Sequence, residues 1–67
     1  MALQKRTIRL ARHNTSIALE PEFWVVLEKS ALRRGLSLAQ WIAAVDAART
    51  GALASALRVA ALKDSLR

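Results

Sequence analysis

Four cations and no acid fall within the first fourteen residues: Lys5, Arg6, Arg9 and Arg12. A cluster of one sign suits one kind of chemistry, the neutralisation of a polyanion, either nucleic-acid phosphates or an anionic membrane surface. The rest of the chain is closer to balance. Between Glu20 and Arg34 three acids meet three bases, Asp46 cancels Arg49, and the tail sets Arg58, Lys63 and Arg67 against Asp64, which leaves a formal net charge of +6. Covalent and metal chemistry have no comparable footing. One histidine, no cysteine and five scattered carboxylates offer neither a nucleophile–base–orienter set nor the ligands of a protein-only metal site. The expectation is a non-enzyme with no metal and no cofactor.

The elements that hold this cluster can be read from pattern. Residues 13–19, His-Asn-Thr-Ser-Ile-Ala-Leu, alternate with period two and predict a strand. Thr15, Ile17 and Leu19 share one face; Asn14, Ser16 and Ala18 share the other. Ile8 and Leu10 upstream are even-numbered, so a straight strand from 7 to 19 would set them opposite Ile17 and Leu19. The register must therefore break near Ala11–His13, through a bend, bulge or turn. Residues 1–12 form a separate basic arm, a short strand or an unstructured segment, with His13 a polar residue at the strand's end.

Glu20-Pro21-Glu22 opens a helix, with proline at the first position and acids at the positive end of the dipole. Phe23, Val26, Leu27, Ser30 and Ala31 recur at helical spacing, and two arginines before Gly35 close the helix near Arg34. Ser37 and Gln40 form a capping-box pair that starts a second helix, Leu38–Arg49, with the apolar stripe Leu38, Trp41, Ile42 and Val45. Thr50-Gly51 ends it. A third helix, Leu53–Leu66, is apolar around most of its circumference and needs neighbours on several sides. Trp24 and Trp41 belong to a core or an interface before they serve as stacking platforms.

Small size sharpens the question of what completes the fold. Sixty-seven residues bury only about 60% of the surface of the unfolded chain. Such chains usually lean on a disulfide, a metal or a partner. Without cysteine, and with one strand lacking a mate for its backbone donors and acceptors, a second copy is the device left. The predicted class is mainly α with one short β-strand.

In this order and spacing, the alternating strand Thr-Ser-Ile-Ala-Leu, the helix start Glu-Pro-Glu-Phe-Trp and the Gly35-Leu36-Ser37 junction resemble the ribbon-helix-helix family of Arc/MetJ type, over residues 13–49. The longer run, with Arg-Gly-Leu-Ser-Leu and Ser-Ala-Leu-Arg-Val, is similar to a bacterial subgroup of small members. The resemblance implies an intertwined homodimer whose intermolecular antiparallel ribbon enters the DNA major groove. It implies base contact by the outward Asn14, Ser16 and Ala18, since Asn suits adenine, Ser is donor or acceptor, and the Ala methyl can meet thymine. It further implies phosphate anchoring by the hydroxyl of Ser37 and the backbone N–H groups of Leu38 and Ala39 at the second helix's start. Lys5, Arg6, Arg9 and Arg12 are the remaining phosphate contacts expected. The dimer core is expected from Ile17, Leu19, Phe23, Leu27, Trp41, Ile42 and Val45. Two features depart from the family: an outer face that ends in Ser and Ala instead of a long cationic or amide side chain, and a third helix.

The expected function is a homodimeric DNA-binding regulator, repressor or antitoxin-like, acting in the cytoplasm on double-stranded DNA, with room for higher assembly there. The alternative is a dimerisation or protein-interaction module that docks a partner on the C-terminal helix. Membrane attachment is disfavoured: Ile8 and Leu10 give the arm little helical moment, Leu36–Val45 is far short of a span, and Arg9 and Arg12 interrupt any secretory apolar core.

Overall fold

The computed structural model describes residues 2–66. Met1 and Arg67, the outermost residues of the predicted basic arm and C-terminal segment, lie outside the described residues. Two strands open the chain. β1 (Gln4–Leu10) and β2 (His13–Leu19) pair antiparallel, with Gln4 opposite Leu19 and Leu10 opposite His13. Ala11–Arg12 is the turn between them, and it is the register break expected at that place.

The hairpin corrects the expectation of one strand completed by a second copy. The partner strand comes from the basic arm of the same chain, so the ribbon is intramolecular. The reason is geometric: a two-residue turn sets even-numbered positions of β1 opposite odd-numbered positions of β2. Ile8 and Leu10 therefore land on the same face as Ile17 and Leu19, and all four are buried together. A bend without reversal would have left two of them in water.

Three helices cover that face: α1 (Pro21–Arg33), α2 (Leu38–Ala48) and α3 (Leu53–Ser65). Proline at the start of α1 stands where its missing N–H costs nothing. Glu20 makes no side-chain cap there; its carboxylate instead accepts from Arg58 Nε of α3 at 3.0 Å. α2 carries the expected capping box, the Gln40 N–H donating to Ser37 Oγ at 3.1 Å and the Ser37 N–H to Gln40 Oε1 at 2.8 Å.

The end of α1 depends on one backbone angle. Gly35 has φ +70°, and beyond it the Leu36 N–H donates to the Ala31 carbonyl at 2.9 Å and the Gly35 N–H to the Leu32 carbonyl at 3.1 Å. This pair of bonds caps the last turn. A Cβ at Gly35 would meet nothing within 4 Å, so only the left-handed backbone penalises a side chain there. Gly35→Ala should cost about 1 kcal/mol, a fall of roughly 4–8 °C in the thermal midpoint for a domain of this size, read by circular dichroism. An unchanged midpoint would show that the turn does not hold this angle.

The core joins Ile8, Leu10, Ile17, Leu19, Trp24, Leu27, Ile42, Leu57 and Ala61. Ile17, Leu19, Leu27 and Ile42, expected at the centre of a dimer, are thus buried inside one chain, while Phe23, Trp41 and Val45 pack half-buried around the same cluster. On α1 the buried stripe is Trp24, Leu27, Ser30 and Ala31, which differs from the predicted stripe in taking Trp24 instead of Phe23 and Val26. Trp24 is fully buried because its one polar atom is satisfied, Nε1 donating to the Gln4 carbonyl of β1 at 2.8 Å. α3 packs on α1 and α2 of its own chain. Arg34 gathers all three helices: its guanidinium lies 3.8 Å from the centroid of the Trp41 ring and donates twice to Asp64 of α3.

Candidate nucleic-acid interface

One face of the ribbon is spent on the core, and the other is open. Alternation along β1 places Lys5, Thr7 and Arg9 on the open face, and alternation along β2 places Asn14, Ser16 and Ala18 there. Register then makes cross-strand neighbours of Arg9 and Asn14, of Thr7 and Ser16, and of Lys5 and Ala18. Five of these six side chains are exposed and Ala18 is half-buried. The structure thus brings the three predicted base-contact residues together with two of the predicted phosphate contacts on one surface.

Arg6 lies on the opposite face of β1 from Lys5 and Arg9. Its position on β1 faces the helices, where Nη1 reaches Glu28 Oε2 of α1 at 3.0 Å and the guanidinium lies 4.8 Å from the centroid of the Trp24 ring. Arg12 stands exposed in the turn at the ribbon's tip. Ser37, Leu38 and Ala39 lie apart from that tip. Leu10, Ala11, Arg12 and His13 share a cleft with Ala43, Asp46 and Ala47, so the turn is beside the C-terminal half of α2, more than a helical turn from the residues at its start. The Ser37 hydroxyl already serves the capping box.

Electrostatics separate the open face from the rest. Glu20, Glu28, Asp46 and Asp64 are held in ion pairs with Arg58, Arg6, Arg49 and the pair Arg33 and Arg34. Among the described residues Lys5, Arg9 and Arg12 have no such partner, and no acid stands on the open face. The internal pairs therefore consume acids on the helices and leave the positive excess of the first fourteen residues at the ribbon.

Thr7 is the residue of this face that the sequence reading missed, along with the placement of Lys5 and Arg9 beside Asn14, Ser16 and Ala18 of β2. A signal for them existed. The parity conflict between Ile8/Leu10 and Ile17/Leu19 is resolved by a two-residue hairpin, and that hairpin necessarily faces Lys5, Thr7 and Arg9 outward.

A ribbon of two antiparallel strands followed by helices packed on one face defines a class, and sequence comparison agrees: the model of the ribbon-helix-helix domain matches residues 3–65. The chain belongs to the ribbon-helix-helix family. Its fold is similar to a solved structure described as an uncharacterized protein from Bordetella pertussis Tohama I, with a TM-score of 0.80 and 32% sequence identity over 97% of this chain and 57% of that one. The chain thus spans little more than half the length of that protein. No curated protein matches it. Among the described residues no group of His, Cys, Asp and Glu is arranged to hold a metal ion, and no helix is long and apolar enough to cross a membrane.

Proposed function

We propose that this protein is a DNA-binding transcriptional regulator, repressor or antitoxin-like, that seats the open face of its ribbon in the major groove of double-stranded DNA. The observation that carries this reading is the composition of that face: Lys5 and Arg9 beside Thr7, Asn14, Ser16 and Ala18, with no acid among them. The major groove is about 12 Å wide and admits a two-stranded ribbon. Arginine suits the O6 and N7 acceptors of guanine, asparagine suits adenine, and the two are neighbours here. The long cationic side chains that the β2 face lacked are supplied by β1. Arg12 at the tip suits a flanking phosphate; Ser37, Leu38 and Ala39 remain a second anion site, at the other end of α2.

Binding to duplex DNA should weaken steeply with salt. Two phosphates neutralised by Lys5 and Arg12 give a log–log slope of about −1.8, and Lys5→Ala should reduce its magnitude by about one. Arg9→Ala should weaken a preferred sequence by roughly tenfold or more while changing non-specific binding less. Fluorescence anisotropy across a salt series measures both. A folded wild-type chain with no affinity for duplex DNA at low salt would end this reading.

A second reading has its own observation. The outer side of α3 exposes Val59, Leu62 and Leu66, spaced as one helical stripe, which suits a protein-interaction module. Deleting α3 cannot test it, because Leu57 and Ala61 belong to the core. Val59→Ser with Leu62→Ser can: a DNA reader keeps its affinity, whereas an interaction module loses its partner. Ile8 and Leu10 of the arm are not available to a lipid surface, since both are buried in the core.

A further inference from the structure

We infer that the groove along the outer side of α3 takes an acidic amphipathic helix of another protein. This gives the interaction reading above, on which it rests, a partner of stated chemistry, and it is independent of DNA binding.

Two clefts that meet at Val59 and Lys63 make the groove. One, of about 320 Å³, is lined by Trp41 of α2 with Arg34 and Asp64. The other, of about 410 Å³, continues past Ser55 along the connection from α2 to α3. Beside them stand Val59, Leu62 and Leu66, all exposed. Spaced at i, i+3 and i+7, these three form one apolar ridge about two turns long. A ridge with recesses beside it is a surface on which a second helix packs, its side chains entering the clefts.

Charge decides which helix fits. Arg34, Arg49 and Lys63 line the clefts against one acid, Asp64, and Arg34 donates to both oxygens of that carboxylate. Lys63 is exposed and in no ion pair among the described residues. Glutamates flanking an apolar stripe would meet these cations, whereas lysines would meet like charge. A second copy does not fit. A two-fold contact lays the same patch against itself, bringing Lys63 toward Lys63, and four of the chain's five acids are already ion-paired. Nor does a lipid surface fit. An interfacial helix sinks a broad apolar face into the headgroups, and here a ridge of three residues stands beside recesses.

A labelled helical peptide about fifteen residues long probes the groove of the full chain by fluorescence anisotropy. It carries leucines at i, i+3 and i+7 with glutamates on the flanks; a lysine-flanked counterpart and phosphatidylglycerol vesicles are the alternatives. The glutamate peptide should bind weakly, as a contact this small allows, and the lysine peptide at least about tenfold more weakly still. Lys63→Glu, at an exposed position, should reverse that preference. Val59→Ser with Leu62→Ser should remove binding, with both variants folded by circular dichroism. Equal or stronger binding of the lysine peptide would overturn the acidic class while leaving the surface an interaction site. No binding of either peptide, or binding unchanged in both variants, would overturn the inference outright. So would self-association or vesicle binding that Val59→Ser with Leu62→Ser abolishes. Duplex DNA titrated into the same chains tests the DNA reading separately, and its failure leaves the peptide result standing.

Discussion

Trp24→Ala should leave the chain without a cooperative thermal transition. Trp24 is fully buried, and removing a buried tryptophan side chain costs about 3–5 kcal/mol. Domains under about 70–80 residues rarely hold more than 3–5 kcal/mol in total, so the loss is comparable to everything available. The damage also exceeds a cavity. The indole donates to the Gln4 carbonyl at 2.8 Å and lies under the Arg6 guanidinium, so alanine releases β1 at the residue where its pairing begins. Trp24→Phe separates these effects: it keeps most of the volume and loses the donor, at about 1–2 kcal/mol, and should melt cooperatively at a lower temperature. Thermal melts by circular dichroism distinguish the outcomes, and a Trp24→Ala chain melting within a few degrees of wild type would refute the argument.

Asp64→Asn should bring the second-largest loss and should flatten the acid limb of stability. The Asp64 carboxylate is 6% exposed and accepts from Arg34 at 2.8 and 3.2 Å, with Arg33 Nη2 at 3.2 Å. Hydrogen bonds from Arg34, foremost, hold its carboxyl well below the usual carboxylate range. A group with a depressed folded-state pKa stabilises fully above its unfolded value, about 3.9 for aspartate, and this contribution is lost as pH falls toward the folded value. Wild-type stability should therefore decline below about pH 4. Breaking a buried pair costs about 3–5 kcal/mol; with Arg33 and Arg34 side chains 49% and 30% exposed, water takes up part of the loss and about 2 kcal/mol is expected. Denaturant midpoints from pH 7 to pH 2 measure it. A variant as acid-sensitive as wild type would place the titrating group elsewhere.

The helices were legible because their ends are chemical. Pro21, Gly35, Ser37 with Gln40, and Gly51 mark where each starts or stops, and the helices observed end within a residue of those expected. β2 was legible from its alternation. β1 was not, for two physical reasons. Polar side chains at Gln4, Lys5, Arg6, Thr7 and Arg9 mask its period, since Arg6 faces inward as an ion-paired cation. Its turn also carries no Gly, Asn or Asp, and no residue in it has positive φ, so it is not one of the turns that announce a hairpin. Without that turn the second strand was assigned to another molecule. Half of the open face went unseen with it, and the surface looked poorer in cations than it is. Trp24 escaped the predicted stripe because its burial depends on a carbonyl of β1, a contact between segments twenty residues apart.

The Ala11–Arg12 turn also sets the order of the folding reaction. An intertwined pair must meet before its ribbon can form, a second-order step that slows as the chains are diluted. Here the two strands are tethered by two residues, and a hairpin of this kind closes in about 1–10 μs. Assembly of the ribbon is then unimolecular, its rate set by the chain and not by its abundance.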